Sequence, residues 1–223
     1  MIKKKAMKTY KTMIIDSPGM INTCPVFKVD NAQWTCKRKP ATQGSVAYIP
    51  EKGLHVSMRC DEKDPLRTVT EHMGRVCCDS ALEAFFAFPD NDAPLDNEGR
   101  PSNDGLYLNF EINANGALYA KTGRGRKNRA PLTEGEMEDV APAAWIGTDG
   151  WGAGFYVPLT LLRRVAGIEE LRENDVFYCN FYKISENPDI EHYLSFSAIQ
   201  SETPNFHLPR FFAKAVIGNR ERI

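Results

Sequence analysis

The chain has 223 residues, 42% of them hydrophobic and 26% charged, with a formal net charge of −1. That is the composition of an ordinary globular domain with one sizeable core, and the charge balance excludes a global field that would draw the protein to nucleic acid or to an anionic membrane. The longest apolar run in the basic N-terminal stretch, Met13-Ile14-Ile15, is too short for a secretion signal or a membrane span, so the expectation is one cytoplasmic domain over 1–223 with residues 1–25 as an N-terminal extension.

Short runs of β-type residues then follow one another, separated by turn residues. The predicted strands are Phe27–Val29, Gly44–Ile49, Gly53–Cys60, Ala81–Phe88, Gly105–Asn113, Gly116–Thr122, Gly152–Pro158, Val176–Ile184, Tyr193–Ser197 and Ala213–Ile217. Pro50-Glu51-Lys52-Gly53 and Asn113-Ala114-Asn115-Gly116 read as hairpin turns. The one good helical stretch is PLTLLRRVAGIEEL from Pro158, with Thr160 as its cap and Gly167 as its end. Many strands and one minor helix predict an all-β protein, an antiparallel β-sandwich of jelly-roll or immunoglobulin-like type, rather than βαβ units. Two long loops interrupt the pattern: acidic Pro89–Gly105, and Gly123–Ala144, which starts basic and turns acidic.

Most catalytic signatures are absent. GxSxG, HExxH, GxGxxG and a phosphate-loop lysine do not occur. The six cysteines form no CxxC and no zinc spacing; they read as reduced thiols, with Cys179 a small core residue. TGRGRKNR reads as a solvated basic loop, with contact to an anionic sugar or partner as its alternative. In the acidic loop Asp90 and Asp92 are weak candidates for a structural calcium, since calcium wants several oxygens at flexible geometry. No other cofactor is expected. His55 reads as a surface or edge residue, and His207 as part of a rigid aromatic turn. Trp34 and Trp151 read as packing residues, and Trp145 is the least committed of the three tryptophans.

The pointed feature is a set of strands whose second face is polar but not random. In LYLNFEIN, residues 106–113, Leu106, Leu108, Phe110 and Ile112 share one face and Tyr107, Asn109, Glu111 and Asn113 the other. In DSALEAFF Glu83 falls opposite Leu82, Ala84 and Phe86. In FYCNFYKI Tyr178, Asn180 and Tyr182 alternate with Phe177, Cys179 and Phe181. If the first two strands pair, Glu83 lies near Glu111 or Asn109, because facing residues stand roughly 5 Å apart at Cβ. Such a carboxyl pair serves sugar binding, glycoside hydrolysis or plain solvation equally well on this pattern alone.

Taken together, CCDSALEAFF, GLYLNFEINANGALYA, NFYKI, HYLSFSAI and TPNFHLPRFFAKAVI resemble family 9 carbohydrate-binding modules, in particular the stand-alone family 9-like bacterial proteins, over about Trp34 to Ile217. The resemblance implies a β-sandwich that binds a mono- or oligosaccharide without catalysis, sometimes with a structural calcium. It places the sugar contacts on Glu83, Asn109, Glu111 and Asn205, with Arg75 and Tyr182 as weaker candidates. The sequence departs from the pattern in two places. HMGRVCC has no aromatic before Asp79, Arg75 being the only large planar group there, and Phe196 stands where the family usually has Trp. Two other functions stay open: a glycoside hydrolase using Glu83 and Glu111, and a haem-binding or protein-interaction sandwich, for which the neighbouring His72 and Met73 make a poor axial pair.

Overall fold

The computed structural model describes residues 7–220. Among them are fourteen strands: β1 (Thr9–Ile14), β2 (Phe27–Lys28), β3 (Asn31–Ala32), β4 (Thr42–Ile49), β5 (Gly53–Cys60), β6 (Ala81–Ala87), β7 (Leu106–Asn113), β8 (Leu118–Arg124), β9 (Asn128–Pro131), β10 (Ala143–Gly147), β11 (Gly150–Pro158), β12 (Val176–Ser185), β13 (His192–Ser195) and β14 (Ala213–Arg220). Two α-helices, α1 (Glu134–Val140) and α2 (Leu159–Ala166), and three short 3-10 turns complete the set. The strands join in the order β10-β11-β5-β4-β1-β14-β12-β6-β7-β8-β9, with β2 on β4, β13 on β12 and β3 on β13.

The sheet curls until its two ends face each other. Phe110 of β7 stacks on Phe155 of β11, ring centroids 5.0 Å apart, although six strands separate theirs in the order. The alternating residues Leu108, Phe110 and Ile112 meet Val56, Met58, Phe155 and Trp151 in this main core. The residues between them face outward. The protein is therefore mostly β, as its sequence predicts, but the sheet is mixed rather than wholly antiparallel. β1 runs parallel to both neighbours, β14 and β4. The reading of 1–25 as an extension does not hold for the described part of that stretch. β1 sits at the middle of the sheet, and Met20 and Ile21 of the following 3-10 turn pack on Ala47 and Ile49. Residues 1–6 lie outside the described part.

Every residue of β6 and β7 is buried, on both faces. The outer face is covered by the segment after β13. Phe206 stacks on Tyr182 at 4.0 Å, and Phe212 meets Phe85 and Tyr107 edge-on. Two helical expectations change. α2 begins at Leu159 behind Pro158, so Thr160 is inside the helix and not its cap, while Gly167 closes it at φ 66° as expected. The second long loop contains β9, α1 and β10. α1 carries a capping box in which Thr133 and Glu136 satisfy each other's backbone N–H groups.

The segment leading into β6 is tied down at two points. The buried Asp79 carboxylate accepts from Thr68 Oγ1, Val69 N and Asn113 Nδ2, each at 2.8 Å. Next to it, Ser80 joins a buried cluster on the core side. Lys183 Nζ donates to Ser80 Oγ and lies 2.9 Å from His192 Nε2 and 3.3 Å from Glu62 Oε2. That carboxylate also accepts from Ser80 Oγ and from Trp151 Nε1. These anchors fix the start of β6, and with it Glu83 three residues on.

Candidate functional site

On the outer face of β12, β6, β7 and β8 one row of side chains crosses four strands: Tyr182, Glu83, Glu111 and Tyr119 stand directly opposite one another in register. Glu83 and Glu111 are thus neighbours across an antiparallel pair, as the alternation predicts. Tyr182 is roofed by Phe206 and donates to the Phe206 carbonyl at 3.2 Å. Past that roof the row forms the floor of a cavity of about 250 Å³. Its walls are Ile184, Glu186 and Tyr193 on one side and the β8–β9 hairpin, with Arg126 and Arg129, on the other. The turn 204–207 and the segment Gly74–Cys77 make the rim.

The candidate residues divide. Glu83, Glu111, Asn205 and Arg75 line the cavity. Asn109 is fully buried beside them and acts through Glu111: its amide donates to Glu111 Oε1 at 2.9 Å and its oxygen accepts from Arg129. Tyr182, expected as a weak sugar contact, is instead sealed below Phe206, because the segment after β13 covers its strand. Asn180 is likewise structural, bonding Ser197 through both main-chain atoms. Asn205 holds its own turn by accepting from the His207 N–H at 3.0 Å, and also accepts from Arg126 at 3.3 Å.

Several site residues had no strong signal in the sequence. Arg126 and Arg129 belong to the stretch read as a solvated basic loop; the β8–β9 hairpin folds it back over the floor. Arg129 lies 5.2 Å over the Tyr107 ring. His207 stacks on Phe85, with ring centroids 5.0 Å apart, and shares a hydrogen bond with the Tyr107 hydroxyl at 3.1 Å. Burial, with Arg129 and Arg126 nearby, holds its imidazole neutral far below the usual histidine range. Glu186 takes a 3.4 Å contact from Cys77 Sγ and a 3.6 Å ion pair from Arg75.

The electrostatics follow from crowding carboxyls in a dry place. Burial, then the facing Glu111 and nearby Glu186, push Glu83 well above the ordinary carboxylate range. Burial also lifts Glu111, to about 7, against the pull of Arg129 and the Asn109 hydrogen bond. The floor thus offers both a proton donor and a carboxylate acceptor near neutral pH, framed by arginines. That set matches a hydroxyl-rich ligand, whose groups donate and accept together.

The acidic loop does not fit calcium as it stands. Arg124 bridges Asp90 and Asp92, and Asp90 accepts two backbone N–H groups of its own turn. The Arg124 hydrogen bond is also the main cause holding Asp90 below its ordinary pKa. Among the described residues the one trio with metal-ligand spacing is Cys77, Cys78 and Glu186, whose thiols are unsuited to calcium. The haem reading also finds no support in its residues: His72 Nδ1 accepts from Leu118 N at 3.1 Å and Met73 Sδ from Ala120 N at 3.5 Å, so both side chains stitch a loop to β8. His55, expected at a surface or edge, is half-buried on the interior strand β5 beside Tyr156, because β11 covers the far side of β5.

A curled β-sheet with a small polar cavity on one outer face is the class of molecule this geometry defines. The chain belongs to carbohydrate-binding family 9, whose family model matches residues 16–217. Among solved structures it is similar to a candidate carbohydrate-binding protein from Bacteroides uniformis, with 20% identity, 95% of this chain and 99% of that one covered, and a TM-score of 0.77. It is also similar to a family 9 module from Caldicellulosiruptor kristjanssonii. The complex with cellotriose gives 12% identity, 95% coverage of each chain and a TM-score of 0.60, and the complex with glucose 11%, 97% and 98%, and 0.61. No curated protein sequence matches the chain.

Proposed function

We propose that this protein binds a mono- or oligosaccharide, without catalysis, in the cavity above Glu83 and Glu111. The observation that carries it is the row of two facing carboxyls on a rigid, doubly buried sheet, bordered by Tyr119, Arg129 and Asn205. Buried polar groups select a hydroxyl-bearing ligand because a mismatched one leaves them unpaired. The relatives co-crystallised with glucose and cellotriose support the reading. The small, walled cavity fits the end of a sugar chain or a single ring better than a long chain's middle. The jelly-roll type of sandwich belongs to the same family inference.

Calorimetric titration with glucose, cellobiose, xylobiose and a uronic acid tests it. Saturable binding to at least one is expected, falling on the order of 10- to 100-fold in Glu83→Gln or Glu111→Gln, as for a substitution that leaves a buried partner unsatisfied at about 1–3 kcal/mol. Unchanged affinity in both variants removes the site.

One feature favours a second reading, glycoside hydrolysis: burial raises both Glu83 and Glu111 above the ordinary carboxylate range, and a general acid needs a carboxyl that keeps its proton. Against it, both carboxyls rise side by side from one floor, while hydrolysis places them on either side of the scissile bond. Turnover of aryl glycosides that disappears in Glu83→Gln is the result that establishes hydrolysis.

A further inference from the structure

The outer face of β4, β5, β11 and β10, on the opposite side of the molecule from Glu83 and Glu111, carries a feature the cavity does not account for. Trp145 of β10 is 47% exposed, whereas Trp151 is 1% exposed. Its indole lies directly on the backbone of the facing strand. A Cβ at Gly152 would come within 2.4 Å of Trp145 Cζ2 and 2.6 Å of Cε2, so only glycine lets the ring lie there. Gly154 extends the cleared floor, 3.9 Å from Cζ3 at its own Cβ position. The ring is therefore held against the sheet with its other face open.

Two hollows flank it, of about 450 and about 300 Å³, and both are lined by Trp145, Gln43 and Arg59. Together they make one groove with the indole and the guanidinium in its middle. With its amide turned so that the oxygen faces Arg59, Gln43 accepts from Nη2 at 3.1 Å and Nε at 3.3 Å, which steadies both groups. Ser57 adds a hydroxyl, and Asp61 and Asp149 add carboxylates.

We propose that this groove is a second saccharide-binding surface, for a neutral oligosaccharide chain laid across Trp145. The proposal rests on the carbohydrate-binding function proposed for the family fold. A pyranose ring presents an apolar C–H face that stacks on a flat indole, and its equatorial hydroxyls need donors and acceptors near the ring plane. Gln43, Arg59 and Ser57 supply them. Asp61 and Asp149 line the groove along with Arg59, so it has no excess positive charge to hold a polyanion. A protein interface would present clustered apolar side chains at its centre; here Gln43, Arg59 and Ser57 surround the indole, and the apolar Ile21 and Val26 line only one of the two hollows.

The two sites lie back to back, because Phe110 and Phe155 meet in the core while their neighbours Glu111 and Gly154 face outward. One molecule then holds a chain end in the cavity and the body of another chain on the groove, which raises retention on polysaccharide without changing affinity for a monosaccharide.

The test compares the parent protein, Trp145→Ala, Gly152→Ala, Glu83→Gln and the Trp145→Ala/Glu83→Gln double variant. Circular dichroism confirms that each is folded. Affinity electrophoresis in soluble xylan and in a β-glucan, and titration with cellohexaose and glucose, read the two sites separately. Trp145→Ala is expected to lose at least fivefold in polysaccharide retention while keeping glucose affinity, and Gly152→Ala, which lifts the indole, to lose less. Glu83→Gln is expected to lose glucose and keep a cellohexaose-induced tryptophan fluorescence change that the double variant lacks. Polysaccharide retention unchanged in Trp145→Ala overturns the groove while leaving the cavity standing. A dimer that dissociates in Trp145→Ala with no change in retention also overturns it, assigning the face to self-association. Absence of saccharide binding in every protein, the parent included, overturns both readings.

Discussion

Two buried carboxyl clusters lie on opposite faces of the same strands, and their chemistry runs in opposite directions. On the core side Glu62 meets a lysine, a serine and an indole. Burial works against its charge, but Lys183, Ser80 and Trp151 prevail and hold it below the ordinary carboxylate range. On the outer side Glu83 and Glu111 meet each other, and both are pushed up. The first cluster is nearly complete within the protein and holds the start of β6 in place. The second is crowded with like charge, and a ligand that donates and accepts hydrogen bonds completes it. Burial alone therefore does not separate a structural carboxylate from a binding one; the sign of its neighbours does.

Breaking the core cluster has the largest expected effect. Lys183→Met leaves Glu62 buried without its cation and is expected to cost about 3–5 kcal/mol in denaturant unfolding, with sugar affinity kept by the molecules that remain folded. Saccharide binding lost at full stability reverses the two roles. The next effect is the converse one. The Glu83→Gln/Glu111→Gln double variant is expected to abolish measurable glucose binding while leaving stability equal or higher, since it removes a repulsion.

The pH dependence sharpens the contrast. Glu111 holds its proton more tightly in the folded protein than in the unfolded chain, with its pKa raised from 4.5 to about 7. Its contribution is complete below pH 4.5 and is lost as pH rises through 7. His192 runs the other way. Burial and Lys183 lower it from 6.5 to about 4, so its contribution is present above pH 6.5 and is lost as pH falls toward 4. The two slopes oppose each other across pH 4.5–6.5. Glu83, raised chiefly by burial, slopes the same way as Glu111, so the Glu83→Gln/Glu111→Gln double variant is expected to unmask a melting temperature that climbs with pH over that window, where the parent's is flatter. Parallel profiles for the two proteins remove the carboxyl pair as the cause. The smallest effect belongs to Tyr182→Phe, which deletes the hydrogen bond to the Phe206 carbonyl. A loss of about 1 kcal/mol in stability with sugar affinity within twofold is expected; a large affinity loss would return Tyr182 to the site.

Much of this was legible in the chain itself. Strict alternation over 81–88, 106–113 and 176–184 located three strands that are neighbours in the sheet, and predicted that Glu83 and Glu111 would share a face. Alternation tells which side chains share a face but is silent about what lies over that face. Asn180 and Tyr182 therefore read as open wall, when the chain after β13 covers them. The same blindness hid Arg126 and Arg129, since a basic run looks solvated until a hairpin folds it over two carboxyls. β1 was missed for another reason. TYKTMI shows only weak alternation, and its place is fixed by pairing with strands near both ends of the chain. Trp145 looked uncommitted because its support, Gly152, is across a strand pair and not beside it in sequence.

β1 also governs the order of events when the protein is made. Tyr10 pairs with Ala215, about two hundred residues later, while Met13 pairs with Ala47 on the other side. The strand that joins the groove-bearing half of the sheet to the cavity-bearing half is thus synthesised about two hundred residues before one of its two partners. Closure of the sheet must wait until β14 has left the ribosome, and contacts this far apart in sequence make that step slow. Until then β1 is an unpaired edge, open to the wrong neighbour.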